Sequence, residues 1–243
     1  MKKYVKWGMA ILFLVVVISF AAFYAWATTT YGPSEELQEL VDLESVVTND
    51  AVVFEPEEEE QNAVGVILYP GAKVENTAYA YYAHGLMEAG YTVIVPEMVF
   101  NFALLSSGKA SEYVERYPEI EHWIVGGHSL GGVAAAMYAA EHEVAGVLFL
   151  GSYPSESADL SEEALPVLSI YAENDGLTVV EDIETTKPLL PKNTVYAEIK
   201  GGNHAQFGMY GEQKGDLQAN ISVLEQQEQM IELTLKWLEE NGL

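Results

Sequence analysis

The run Ile124-Val125-Gly126-Gly127-His128-Ser129-Leu130-Gly131-Gly132 leaves this chain few folds to choose from. An apolar strand meets a glycine-flanked turn, and the small residues Val133-Ala134-Ala135-Ala136 then continue as a helix. Gly127-His128-Ser129-Leu130-Gly131 has the pattern G-x-S-x-G, in which a serine sits on a strained strand-to-helix turn and projects its hydroxyl above a sheet. Glycine is required two residues to either side, because a Cβ would collide with the neighbouring strand and helix. The helix start also aims free N–H groups and a positive dipole end at any anion forming beside the serine. A strand and helix joined in this way imply a layered α/β sheet.

The 243 residues suit one α/β domain plus an appendage, and a hydrophobic content of 49% is enough for a core. Absence of cysteine excludes disulfides, thiolate zinc sites and a lipid-modified cysteine anchor, and fits an exported bacterial protein. Eleven Lys plus Arg stand against 37 Asp plus Glu, a formal net charge of -26. A surface this acidic repels phosphate backbones and anionic headgroups, so nucleic acid is excluded as a partner.

Lys2, Lys3 and Lys6 precede a stretch without charge from Trp7 to Ser34, with an apolar heart from Met9 to Trp26. Some 20 such residues, at about 1.5 Å each, span the ~30 Å hydrocarbon layer. The flanking lysines put the N-terminus inside and everything after Thr28 outside. Residues 1–30 are therefore expected to be a single-pass membrane anchor with the rest of the chain exported. The alternative is a signal peptide cut at Ala25-Trp26-Ala27, releasing a secreted protein. Residues 31–61 form an acidic lead-in, where Ser34 starts a helix with Leu37, Leu40, Val41 and Leu43 on one face. Ala51 to Phe54 suits a short strand, and Glu55 to Glu60 a solvated turn.

Residues 62–243 alternate strand and helix. Strands are predicted at Ala63–Tyr69, Tyr91–Val95, His122–Gly126, Val144–Leu150, Val167–Tyr171 and Thr194–Ile199. Helices are predicted at Ala78–Ala89, Ser111–Arg116, Leu130–Glu141 and Ile221–Asn241, with a helical bit at Ser161–Ala164. This is the order of a doubly wound, mostly parallel sheet with helices on both faces. The short connection 151–166 leaves no room for a large cap, so an open site is expected. The apolar run Met98–Leu105 suits the lining of an acyl site and core packing equally.

A serine hydroxyl needs a base, and the base an orienting acid, in the chain order Ser, Asp or Glu, His for this type of turn. Only His142 and His204 follow Ser129. His142 lies about 20 Å down the helix that begins at the serine, at ~1.5 Å per residue. His204, just past the last strand, is the expected base. In Ala172-Glu173-Asn174-Asp175-Gly176, Asp175 is the expected acid because Asn-Asp-Gly has turn chemistry; Glu173 is the runner-up and is expected to face solvent. The oxyanion donors are expected to be the N–H groups of Leu130 and Ala72, the latter in Tyr69-Pro70-Gly71-Ala72-Lys73. Tyr210 to Asp216 receives no catalytic role.

Four stretches carry a resemblance: Tyr69-Pro70-Gly71, the turn at Gly126 to Gly132, Ala172 to Gly176, and Gly201-Gly202-Asn203-His204-Ala205-Gln206-Phe207-Gly208. With them, residues from about 63 to 240 resemble the compact, dienelactone-hydrolase-like fold-5 group of bacterial α/β-hydrolases. The resemblance implies a Ser129, Asp175, His204 triad and neither metal nor organic cofactor. Dienelactone hydrolases themselves use a cysteine nucleophile, which this chain lacks. The expectation is an exported serine hydrolase acting on a small-molecule carboxylic ester through an acyl-enzyme. The rivals are an acyltransferase or peptidase with the same triad, and a non-catalytic envelope-binding scaffold.

Overall fold

The computed structural model describes residues 2–57 and 61–243, so Glu58 to Glu60 of the acidic run lie outside the described residues. Helix α1 (Lys2–Ala27) is a single apolar rod, long enough to cross a membrane and exposed along its length from Tyr4 to Trp26. Two short helices follow, α2 (Glu35–Leu40) and α3 (Leu43–Val46). Ser34 caps α2 by accepting the Leu37 N–H at 3.2 Å. The apolar face expected here is only partly formed, since Leu37 and Val41 are buried whereas Leu40 is exposed. With only six residues, α2 ends before a continuous stripe can develop.

Seven strands form one sheet in the order β1-β3-β2-β4-β5-β6-β7. They are β1 (Ala51–Phe54), β2 (Val64–Tyr69), β3 (Thr92–Pro96), β4 (His122–His128), β5 (Gly146–Leu150), β6 (Val167–Ala172) and β7 (Val195–Ile199). All neighbours are parallel except β1, which pairs antiparallel with β3. The acidic lead-in thus contributes a strand to the sheet. The central strands are apolar without a break because both faces are covered. Val66, Leu68, Val93, Val95, Ile124, Leu148 and Leu150 fill one face under α4 (Ala80–Met87) and α8 (Val223–Glu240). Ile67, Tyr69, Ile94, Val125, Val147 and Phe149 fill the other, under α5 (Ala110–Arg116) and α6 (Leu130–Ala139).

One helical expectation needs correction, and one helix was not expected. Ser161–Ala164 is a turn, not a helix. Leu160 and Leu165 are both buried, the Leu160 N–H is bound to the Leu189 carbonyl, and Pro166 disfavours helix at the residue before it. Between β6 and β7 there is instead α7 (Val180–Thr186), where the Asp182 carboxylate accepts the Val179 N–H at 3.1 Å. The run Met98–Leu105 divides: Met98 and Ala103 are buried in the core, Val99 and Leu105 exposed.

Candidate active site

Strand β4 ends at His128, and Ser129 caps α6 at φ 52° and ψ −125°. A positive φ at a non-glycine residue costs about 1–3 kcal/mol and persists only where the surroundings over-determine it. Here they do. The Ser129 N–H donates to the Leu150 carbonyl at 3.1 Å, and its own carbonyl accepts from the Gly132 N–H at 3.0 Å and Ser152 Oγ at 2.6 Å. A Cβ on Gly127 would strike the Gly131 main chain, and one on Gly131 would lie 2.5 Å from the Pro70 carbonyl oxygen. The start of α6 is therefore pressed against the end of β2, which brings the segment Pro70 to Lys73 beside the serine.

Asp175 lies in the turn after β6 and is 4% exposed. Its Oδ1 accepts the N–H groups of Leu177 at 2.8 Å and Thr178 at 2.6 Å. Its Oδ2 meets Nδ1 of the wholly buried His204 at 2.7 Å. A carboxylate oxygen only accepts, so Nδ1 carries the proton of this contact and Nε2 is the ring nitrogen left to act as a base. That Nε2 is buried and has no hydrogen-bond partner among the described residues, so Ser129 and His204 are not hydrogen-bonded here. Hydrogen bonds of this kind commonly tighten only once substrate is in place. Glu173 is exposed, accepts the Gly201 N–H at 2.8 Å, and so ties two loops instead of meeting His204. His142 stacks on Tyr138, ring centroids 4.1 Å apart, beyond the far end of α6.

Leu130 is the first residue of α6 and Ala72 follows Gly71, whose Cβ position lies 2.8 Å from His128 Nδ1. Neither the Leu130 nor the Ala72 N–H finds an acceptor among the described residues. Sequence reasoning missed the groups that hold this arrangement. The Gly71 N–H donates to Tyr79 Oη at 2.9 Å, and Tyr79 Oη lies 2.9 Å from His128 Nδ1. Tyr79 thus links the loop after β2 to the residue before Ser129. Burial, and then the neighbouring His204, hold the His128 imidazole well below its ordinary value of 6.5. Asp216 accepts the Gly176 N–H at 2.9 Å and the Ala205 N–H at 2.8 Å, joining the Asp175 turn to the His204 turn. No spacing in the sequence points to Tyr79 or Asp216, since each joins two segments that are far apart in the chain. A cavity of about 310 Å³ opens behind the His204 turn, lined by Ser34, Gln206, Met209, Gln213 and Leu217 but not by Ser129. Among the described residues no three His, Asp or Glu side chains are grouped as a metal ion would need.

A family model described as the alpha/beta hydrolase family matches residues 65–228. A search of curated proteins finds no match. Among solved structures, the fold is similar to a dienelactone hydrolase from Anabaena variabilis, at 19% identity and a TM-score of 0.59, covering 77% of this chain and 89% of that one. It is also similar to Est1E of Butyrivibrio proteoclasticus in a structure with ferulic acid bound, at 13% identity and a TM-score of 0.59, covering 78% and 95%. A third is an alpha-beta serine hydrolase homologue from Coxiella burnetii, at 16% identity and a TM-score of 0.58, covering 77% and 98%. With its family model extending over more than half its length, the chain belongs to the alpha/beta hydrolase family.

Proposed function

We propose that this chain is an exported serine hydrolase that cleaves a carboxylic ester, tethered by residues 1–30 and carrying its chemistry in residues 62–243. The observation that carries the reading is the buried 2.7 Å contact between Asp175 and His204, at the sheet edge where Ser129 begins α6. Ser129 Oγ attacks the carbonyl carbon while His204 Nε2 takes its proton. Asp175 keeps the imidazole in the Nδ1–H form and stabilises its cation. The negative oxygen of the tetrahedral intermediate accepts the N–H groups of Leu130 and Ala72. The intermediate collapses as His204 returns the proton to the departing alcohol, and water then releases the acid by the same steps. The structure of Est1E with ferulic acid bound is consistent with a carboxylic acyl group as the part of the substrate that meets Ser129. The connection from β5 to β6, which forms no helix among the described residues, is consistent with an open site.

Fluorophosphonate labelling of the purified protein tests this. Wild type is expected to be labelled and to turn over p-nitrophenyl acetate. Ser129→Ala is expected to lose labelling and to lower turnover by at least ~10³-fold, the scale on which removal of a nucleophile acts. Undiminished labelling of Ser129→Ala would reject the assignment.

A further inference from the structure

We propose that the sheet edge carrying Ser129 and His204 faces the bilayer spanned by α1, and that the substrate is a lipid ester of the leaflet on that side. This rests on the hydrolase and anchor readings above and adds where the substrate comes from. The chain between α1 and the domain is bound to the domain almost at once. Ala27 is buried, Thr30 Oγ1 donates to Glu75 Oε1 at 2.6 Å, and the Tyr31 N–H donates to the Lys73 carbonyl at 2.7 Å. The Tyr31 ring lies 5.6 Å from that of Tyr210, and the Ser34 N–H donates to the Met209 carbonyl at 2.8 Å. Residues 27–34 thus strap the membrane helix to the loop after β2 and the loop after β7, the loops that contain Ala72 and His204. A loose tether would let the domain turn freely; this strap fixes which edge lies next to α1.

The last turn of α1 adds a depth. Phe23 lies 5.8 Å from Phe100 and Trp26 lies 6.4 Å from Phe102, while Lys73 Nζ sits 4.8 Å over the Trp26 ring. Phe23 precedes the end of α1 by about 6 Å at ~1.5 Å per residue. Phe100, edge-on to it, therefore reaches the level at which aromatic rings settle between hydrocarbon and water.

Most exposed apolar side chains in the loops follow the same polarity, Val195 at the start of β7 being an exception. Val99 and Leu105 come after β3, Leu177 and Val179 after β6, and Leu217 after β7. In a parallel sheet these connections all leave the edge that holds Ser129. The opposite edge, in the turns before β4 and β5, presents Glu119, Glu121, Glu141 and Glu143 to solvent. Glu97, Glu173 and Glu212 are exposed on the site's own edge, so the surface that fits is a zwitterionic one and not an anionic one. A lipid ester held at headgroup depth meets Ser129 without leaving the bilayer. Its ester C–O bond breaks, Ser129 Oγ takes the acyl group, the lipid alcohol leaves with the proton from His204, and water releases the fatty acid.

The chain has no cysteine, so single cysteines report cleanly. Full-length Leu105→Cys and Glu143→Cys, each carrying an environment-sensitive fluorophore, are placed in phosphatidylcholine vesicles containing a lipid-borne quencher. Quenching at least several-fold stronger at 105 than at 143 is expected; equal quenching overturns the orientation. In the same vesicles, wild type is expected to hydrolyse a fluorogenic phosphatidylcholine ester. The double variant Val99→Glu, Leu105→Glu is expected to lose at least tenfold more rate on the vesicle ester than on p-nitrophenyl acetate. Equal loss on both substrates, or loss on neither, overturns the proposal. Wild type that turns over p-nitrophenyl acetate but not the vesicle ester overturns the membrane substrate and leaves the esterase reading standing. Wild type that turns over neither and resists fluorophosphonate removes both.

Discussion

At the scale of single residues, the position before Ser129 shows how much of the candidate site is built from groups to which no chemistry is assigned. His128 is buried among Tyr79, His204, Phe207 and Tyr210, with its ring centroid 4.5 Å from that of His204. Burial is the larger cause, and the nearness of His204 the second, of an imidazole that stays neutral well below 6.5. Its neutrality has a thermodynamic consequence whose sign is fixed. In the unfolded chain this histidine binds a proton as pH falls through about 6.5, while in the folded protein it does not until much lower. The unfolded state therefore binds more protons in that window, and stability falls as pH falls below about 6.5. One site contributes at most about 1.4 kcal/mol per pH unit. Urea unfolding between pH 7 and pH 5 is expected to show a steeper acid loss for wild type than for His128→Gln, whatever the variant's absolute stability. Parallel curves would mean that His128 titrates alike in both states. Ser129, Asp175 and His204 could be named as candidates from the sequence because a short motif or a chain order marks each. Tyr79, Ser152 and Asp216 were not, because Tyr79 acts 49 residues away at His128, Ser152 23 residues away at Ser129 and Asp216 40 residues away at Gly176.

Elements were legible where their pattern is local. The continuous apolar runs of β2, β4 and β5 and the glycine turn before α6 each carry their own signal. The absent helix at Ser161–Ala164 and the unforeseen α7 have a common cause. Ser161-Glu162-Glu163 resembles a helix start but is clamped between buried Leu160 and Leu165 ahead of Pro166, so tertiary contact overrides it. Helix α7 begins after Val179, which has no side-chain acceptor to advertise a cap. The join of β4 to α6 also sets a prediction about elements. A Cβ at Gly131 meets the Tyr69 and Pro70 carbonyls, which are main-chain atoms that cannot swing aside. Gly131→Ala must drive α6 away from the end of β2, and with it displace Leu130 relative to Ala72. Overpacking of this kind costs roughly 1–3 kcal/mol, occasionally more, and a displacement of about 1 Å in a site of this type lowers turnover by roughly 10²-fold. Gly108→Ala, where a Cβ meets nothing within 4 Å, is the control. Urea unfolding together with p-nitrophenyl acetate kinetics should show loss on both counts for Gly131→Ala and neither for Gly108→Ala.

For the whole molecule, charge is the quantity that the fold does not cancel. A formal net charge of -26 is carried largely by exposed carboxylates. Two opposing effects follow when salt is added. Screening weakens attractive pairs such as Lys236 with Glu240 at 3.9 Å and Arg116 with Asp50 at 2.8 Å. Exposed pairs of this type contribute only about 0–1 kcal/mol each, and 11 basic residues allow few of them. Screening also weakens the mutual repulsion of 37 acids, which the folded state concentrates in a smaller volume than the unfolded one. Repulsion should win because acids outnumber bases more than threefold. The Debye length falls from about 30 Å at 0.01 M to about 3 Å at 1 M, so most of the gain comes before 0.5 M. For a domain of this size 1 kcal/mol corresponds to roughly 2–4 °C in Tm. Full-length protein in zwitterionic detergent should therefore melt several degrees higher in 0.5 M NaCl than in 0.01 M. A Tm that falls with salt would show that the few attractive pairs outweigh the acid excess.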